Sequence, residues 1–316
     1  MSRYLVRRLA FAIFLVIAVS SASLVLARLA PGDFVASSLG GQASAQEMAQ
    51  ARARLGLDKS IGAQYVGWIV AAAHLDFGQS LAYDRPVRDL IPERAANTAI
   101  LALTAIVLAT LVGLPLGVIS GSRRGGVLRG AIRSASLVLL SMPPLLTSLF
   151  LVFLAARSGW LPIAGMRSAQ TPDGGALLDL IRHLVVPAAA IGLPLAAMIE
   201  RVQAQAMREV ADQPFVLATI ARGVPPARVV WRDALKPALR PVASVYGLII
   251  GTLLSGSFAV EVITAWPGLG NLMLNALRAR DVYLVAGCAG AGAVFLAFGT
   301  LISDLALALV DPRGRV

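Results

Sequence analysis

Residues 95–122 read AANTAILALTAIVLATLVGLPLGVISGS, a run of 28 residues without Asp, Glu, Lys or Arg. A helix needs about 20 apolar residues to cross the hydrocarbon of a bilayer. This run exceeds that length, so its apolar surface is expected to meet lipid as well as protein. Five further windows lack the same four residue types: Leu9–Ala27, Ser134–Ala156, His183–Ile199, Pro241–Val260 and Val282–Ser303. His183–Ile199 is the shortest and is expected to extend past Glu200 and Arg201, whose long side chains reach the interface. In hydrocarbon every backbone N–H and C=O must pair within its own segment, so each window reads as a helix. The short alternating strands of a membrane barrel are not evident in the sequence. The expected fold is an all-α integral membrane protein with six transmembrane helices.

Composition agrees. Of 316 residues, 57% are hydrophobic and 14% charged, and the mean hydropathy is +0.76. A soluble domain of this length needs more polar surface. The net charge of +11 is unevenly placed. With a cytoplasmic N-terminus, segments 1–8, 123–133, 200–240 and 311–316 face inward and hold 16 Lys and Arg against 5 acids, the whole excess. That is the positive-inside pattern, and it puts both termini in the cytoplasm. The basic pI of 11.0 therefore implies no nucleic-acid partner, because the charges flank apolar spans and contact membrane lipid. One cysteine, Cys288, and two histidines leave no credible metal cluster. Arg3, Arg7 and Arg8 precede an apolar run, as in a signal peptide. The run is long and lacks a small-residue cleavage site, so it reads as an uncleaved first helix.

The chain divides on this reading into a cytoplasmic N-terminus and first helix (1–30), an extracytoplasmic loop (31–94), a transmembrane core (95–310) and a cytoplasmic tail (311–316). The outer loop opens on the turn Pro31-Gly32-Asp33 and holds two expected short helices, near 44–55 and 61–73. Tyr65, Trp68 and Phe77 are placed to settle at the interface. The loop reads equally as a cap over the spans or as a docking surface. Gly113, Gly117 and Gly121 recur every fourth residue, a spacing that lets helices approach closely, and Gly287, Gly290, Gly292 and Gly299 mark another small-residue face. Ser141-Met-Pro-Pro144 breaks helical regularity in the middle of the third window, through a cavity-lining bend or a packing kink. Asp304, in the last window, reads as a partner for an inner arginine ahead of an ion site.

The inner loop 206–240 is the most structured polar stretch. Asp212-Gln-Pro214 reads as a helix start with a capping acid and an early proline. A short helix follows over 215–222. Gly223 closes it, and Pro225-Pro226 forbid its continuation. A second helix runs from Ala227 to about Leu235, and Pro237 and Pro241 lead to the next span. Such a hairpin serves as a handle for a partner protein or lies on anionic lipid; composition leaves both open.

Residues 215–223, FVLATIARG, resemble the EAA loop of binding-protein-dependent ABC importers. Arg3–Arg8 (RYLVRR), Arg28–Asp33 (RLAPGD), Leu55–Asp58 (LGLD), Leu75–Ser80 (LDFGQS) and Arg85–Val87 (RPV) are similar to the peptide branch of that family. So are Gly159–Pro162 (GWLP), Trp266–Gly270 (WPGLG) and Asp311–Arg313 (DPR). Together they cover nearly the whole chain, and their order resembles the first of two permeases in dipeptide and oligopeptide systems. Leu217 and Thr219 depart from the family pattern, which prefers a polar residue and an alanine there. The resemblance implies the type I importer fold, with an extracytoplasmic insertion between the first two spans. It implies ATPase coupling through Phe215, Ala218, Thr219, Arg222, Gly223 and Arg228, and a translocation path lined by Met142, Pro143, Ser255 and Phe258.

The implied partners are a second homologous permease, two cytoplasmic ABC ATPases and an extracytoplasmic substrate-binding protein. This chain has no GxxxxGK[ST] loop, so ATP and Mg are expected on the partner ATPases, with no cofactor and no catalysis here. Cargo ranges in such systems from dipeptides and longer peptides to glutathione-like compounds and nickel complexes. The rivals are an ion-coupled secondary transporter, which calls for internal repeats and mid-membrane charges, and a membrane-embedded enzyme, which calls for a catalytic cluster within the spans.

Overall fold

A computed structural model describes residues 2–39, 43–122, 126–168 and 175–310. Its helices in chain order are α1 (Ser2–Leu29), α2 (Phe34–Leu39), α3 (Ala45–Arg54), α4 (Ile61–Ala73), α5 (Val87–Gly121), α6 (Val127–Ser141) and α7 (Pro144–Ser158). Then follow α8 (Ala176–Ala211), α9 (Pro214–Ala221), α10 (Pro226–Arg228), a π segment (Val229–Ala234), α11 (Leu235–Ile263), α12 (Leu269–Ala279) and α13 (Val282–Val310). Gln79–Ser80 and Arg85–Pro86 pair antiparallel as strands β1 and β2.

Among the described residues, the apolar regions of α1, α5, α8 and α13 are long and apolar enough to cross a membrane. α11, of 29 residues, contains the charge-free window 241–260. The third window is not one straight span. α6 and α7 have 15 residues each and meet at a bend of 108°. The cause is local. A residue before proline is driven out of the α region. Met142 precedes Pro143 and takes φ −90°, ψ 120°; Pro143 precedes Pro144 and takes φ −59°, ψ 144°. Two consecutive residues are thus denied helical geometry, and the helix ends and restarts in a new direction.

The chain gathers into two compact units: 1–98 with 267–297, and 99–266 with 298–316. In the first, α4 packs on α1. Trp68 is buried against Leu24 and Ala286 and donates its indole N–H to the Phe77 carbonyl at 3.2 Å. Tyr65 bonds Ser21 at 3.1 Å. The expected interfacial seat for Trp68 is therefore corrected: its ring is held by protein. Polar caps order this region. Ser44 and Glu47 form a reciprocal capping box on α3. Asp281, fully buried, accepts hydrogen bonds from Ser80 Oγ (2.6 Å), Ala82 N (3.0 Å) and Leu284 N (3.1 Å), joining the β hairpin to the first turn of α13. Together the three bonds satisfy a carboxylate that burial would otherwise strand.

In the second unit α8 packs against α6, α7 and α11, and α5 approaches it closely. A methyl group built on Gly113, Gly117 or Gly121 would collide with Ala196, with Glu200 and Gln203, or with Ala204 and Met207, respectively. The four-residue glycine spacing thus brings two backbones together along successive turns, as its sequence predicts. Glu200 lies inside this seam, 3% exposed, accepting a short hydrogen bond from Ser120 Oγ. The expectation that it reaches the interface is corrected; Arg201 beside it is exposed. Gly287 and Gly290 of α13 make similar close approaches to α5 and α1, whereas Gly292 faces open space. The side chain of Asp304 and residues 311–316 lie outside the described residues.

Gly117→Leu is expected to force α5 from α8, with an overpacking cost of about 1–3 kcal/mol or more because the clash includes backbone. Thermal unfolding in detergent, monitored by size-exclusion recovery, should shift down clearly, while Gly292→Leu leaves it near wild type. A pH effect is expected around Asp33. Arg52 Nε donates to its carboxylate at 2.5 Å and holds the carboxyl below the usual range. A depressed folded pKa means stability fully present above the unfolded value and lost as pH falls through the folded one. Hydrogen-exchange protection factors across 33–39 and 43–54 should hold from neutral pH to about 5 and fall below about 4. Asp33→Asn should remove that dependence.

Candidate functional site: an elbow between two long helices

α8 and α11 are joined by a compact elbow, and its construction follows from a few residues. α8 does not stop at the end of its apolar window; it continues to Ala211, with Asp212 as its C-cap. The next residue, Gln213, is the N-cap of α9 and makes no side-chain cap bond. The expected capping role of Asp212 is therefore corrected: the acid closes one helix, and Pro214, with its fixed φ, begins the next. α9 then runs eight residues. It buries Val216 and Thr219 and leaves Phe215, Leu217 and Ile220 each nearly half exposed. Ala218, Arg222 and Arg228 are exposed as well.

Gly223 turns the chain at φ +76°, in the left-handed region where a Cβ costs roughly 1–2 kcal/mol. Its N–H caps α9 by donating to the Ile220 carbonyl at 2.9 Å. A methyl placed there would touch nothing, so backbone conformation alone requires glycine. Pro225 and Pro226 start the return. The expected end of the second helix near Leu235 is corrected: from Pro226 the backbone stays helical through Pro237 and Pro241 to Ile263. It does so by widening. Over Val229–Ala234 the hydrogen bonds skip a residue, and Leu235 N–H reaches the Val230 carbonyl. The wide turn sits just ahead of Pro237, whose ring and missing N–H do not suit a regular α turn.

The elbow is therefore not a loop but the tips of two long helices with α9 between them. Its base is apolar. Val118, Ala206, Met207, Ala234 and Ala238 form one buried cluster. A cavity of about 370 Å³, lined largely by apolar groups including Val216, Ile220 and Trp231, lies beneath α9. On the other side, a cleft of about 710 Å³ runs between α9 and the π segment. Thr219 and Arg222 meet in it: Arg222 Nη2 donates to Thr219 Oγ at 3.1 Å, and that hydroxyl donates to the Phe215 carbonyl at 2.8 Å.

Residues 113–316 match the family model described as binding-protein-dependent transport system inner membrane component, and residues 1–102 match the N-terminal model of the same kind of membrane component. The chain belongs to this family. It is similar to the oligopeptide transport system permease protein AppB of Bacillus subtilis (strain 168), 31% identical over 99% of each chain. It is also similar to the di/tripeptide transport system permease protein DppB of Pseudomonas aeruginosa (strain UCBPP-PA14), 33% identical over 100% of this chain and 99% of that one. The dipeptide transport system permease protein DppB of Escherichia coli (strain K12) is 31% identical over the same shares.

For a transport-system membrane component, the elbow gathers five of the six coupling candidates, Phe215, Ala218, Thr219, Arg222 and Gly223, on α9 and its exit; Arg228 lies on the return helix. The path candidates are not gathered in the same way. Met142 (half-buried) and Pro143 (exposed) form the corner between α6 and α7, Phe258 lies half-buried on α11, and the Ser255 side chain is outside the described residues. The two cavities at the elbow are lined by other residues. The sequence reading missed the seam polar groups. Glu200 and Gln203 are buried, and neither amide atom of Gln203 has a hydrogen-bond partner among the described residues. The signal was available: both sit on the helical stripe of Ala196, Ala204 and Met207, a small-residue contact face.

Gly223→Val is expected to preserve membrane insertion and yield while reducing substrate-stimulated ATPase activity of the reconstituted assembly at least several-fold. Unaltered stimulation would show that the left-handed turn is dispensable.

Proposed function

We propose that this multi-pass membrane protein is one permease subunit of an ATP-driven importer whose cargo is peptides. The observation that carries the reading is the elbow. α9 presents exposed Phe215, Leu217 and Ile220, and both ends of its mounting are continuous with long apolar helices. A partner that grips α9 moves α8 and α11 directly, because no flexible loop of more than a few residues intervenes. The peptide class is supported by the relatives, which are named for oligopeptide and for di- and tripeptide transport.

In this reading two ABC ATPases lie on the cytoplasmic side, together with both termini, an orientation that the excess of Lys and Arg supports. ATP and Mg bind those subunits, and their closure pulls α9. α8 carries the motion into the glycine seam and therefore into α5; α11 carries it along its own length. A second homologous permease completes the pathway, and an extracytoplasmic binding protein delivers the peptide. Path residues Met142, Pro143, Ser255 and Phe258 would face that pathway. The chain itself catalyses nothing; its role is to convert a pull at one end into alternating access.

The test is assembly and transport. Affinity capture of the full chain from its native membrane should co-purify a second permease and an ATPase. Proteoliposomes of that assembly should accumulate labelled peptides only with internal ATP and an external binding protein. Uptake by this chain alone, driven by a proton or sodium gradient, would establish a secondary transporter instead.

A further inference from the structure

The cleft of about 710 Å³ beside α9 has a chemical character that the transport function does not require of it. Phe215 and Pro237 give it apolar walls, and Arg222, Arg232 and Lys236 supply three cations against one acid, Asp233. The three basic side chains belong to exposed residues, and among the described residues Arg232 and Lys236 form no ion pair. Arg232 and Lys236 stand four residues apart on the widened helix, so they come from neighbouring turns. Arg222 faces them from the end of α9, tethered by its bond to Thr219 Oγ. Thr219 stands where the resembling loop prefers alanine, and alanine would leave that guanidinium untethered.

We propose that this cleft receives an acidic segment of the ATPase subunit, its carboxylates meeting Arg222, Arg232 and Lys236 while an apolar side chain lies on Phe215. The proposal rests on the reading of α9 as the ATPase-facing helix and adds the chemistry of the partner's surface. Charge complementarity selects the occupant: unpaired cations on two facing walls favour carboxylates brought together by a folded partner. A concave site suits a protruding loop or helix end better than the plane of a headgroup layer. Thr219 acts as a positioning residue, presenting Arg222 across the cleft.

The experiment uses the full chain, captured with its ATPase and exchanged into nanodiscs of zwitterionic phosphatidylcholine. ATPase retention is measured against NaCl concentration. For wild type, retention should fall as salt screens the pairs. The double charge reversal R232E/K236E should weaken retention about tenfold at moderate salt and flatten its salt dependence. T219A should weaken it a few-fold, with T219S restoring it, since serine keeps the hydroxyl. Equal retention and an unchanged salt slope in R232E/K236E would overturn the proposal. So would an effect of the reversal seen only after anionic lipid is added, which would assign the cations to headgroups. A wild-type chain that captures no ATPase would overturn the functional reading itself, a different result from loss confined to the variants.

Discussion

The contact on which this molecule depends is the backbone approach of α5 to α8. Three glycines at four-residue intervals remove every side chain that would hold the helices apart, and Ala196, Glu200, Gln203, Ala204 and Met207 occupy the space. Between two apolar helices in lipid there is little hydrophobic gain from association, so close van der Waals contact and polar bonds must supply the attraction. The seam has both, since Ser120 donates to the buried Glu200 within it. A backbone-to-backbone contact of this kind resists sliding more than a layer of flexible side chains would. Displacement of α8 is therefore displacement of α5.

In the proposed reading, that rigidity is what lets the elbow pass on a pull. A short helix mounted on a mobile loop would dissipate a pull in loop strain. Here α8 continues to Ala211, α9 follows almost at once, and the return path is helical from Pro226 onward. Gly223, left-handed at φ +76°, fixes the angle of the turn, and a methyl built there would touch nothing. The apolar cluster of Val118, Met207 and Ala234 anchors the base of the elbow to α5 as well. Packing in the seam and geometry at the tip are parts of one mechanical element.

Much of this was legible in the sequence because the relevant signals are local. Charge-free windows mark helices, glycine spacing marks the seam, and Gly223 with Pro225-Pro226 marks the turn. What escaped depended on surroundings. Glu200 looked like the polar end of a span, but whether a carboxylate meets water or a serine on a neighbouring helix is a tertiary fact. Trp68 had the composition of an interfacial anchor and is held by Leu24 and the Phe77 carbonyl instead. Asp212 is a good capping residue that ends one helix while Pro214 opens another. Pro143-Pro144 announced a defect but not a bend of 108°. The path candidates stayed ungathered: Met142 and Pro143 form the corner between α6 and α7, while Phe258 lies on α11.

The widened segment at Val229–Ala234 has a geometric consequence for everything beyond it. One residue of a regular helix occupies about 100° of rotation and 1.5 Å of rise. A π turn holds roughly one extra residue per turn, so tightening it to α geometry would screw α11 about its own axis by an angle of that order. Which of its faces looks toward lipid and which toward protein is set, in phase, by six residues at the foot of the helix.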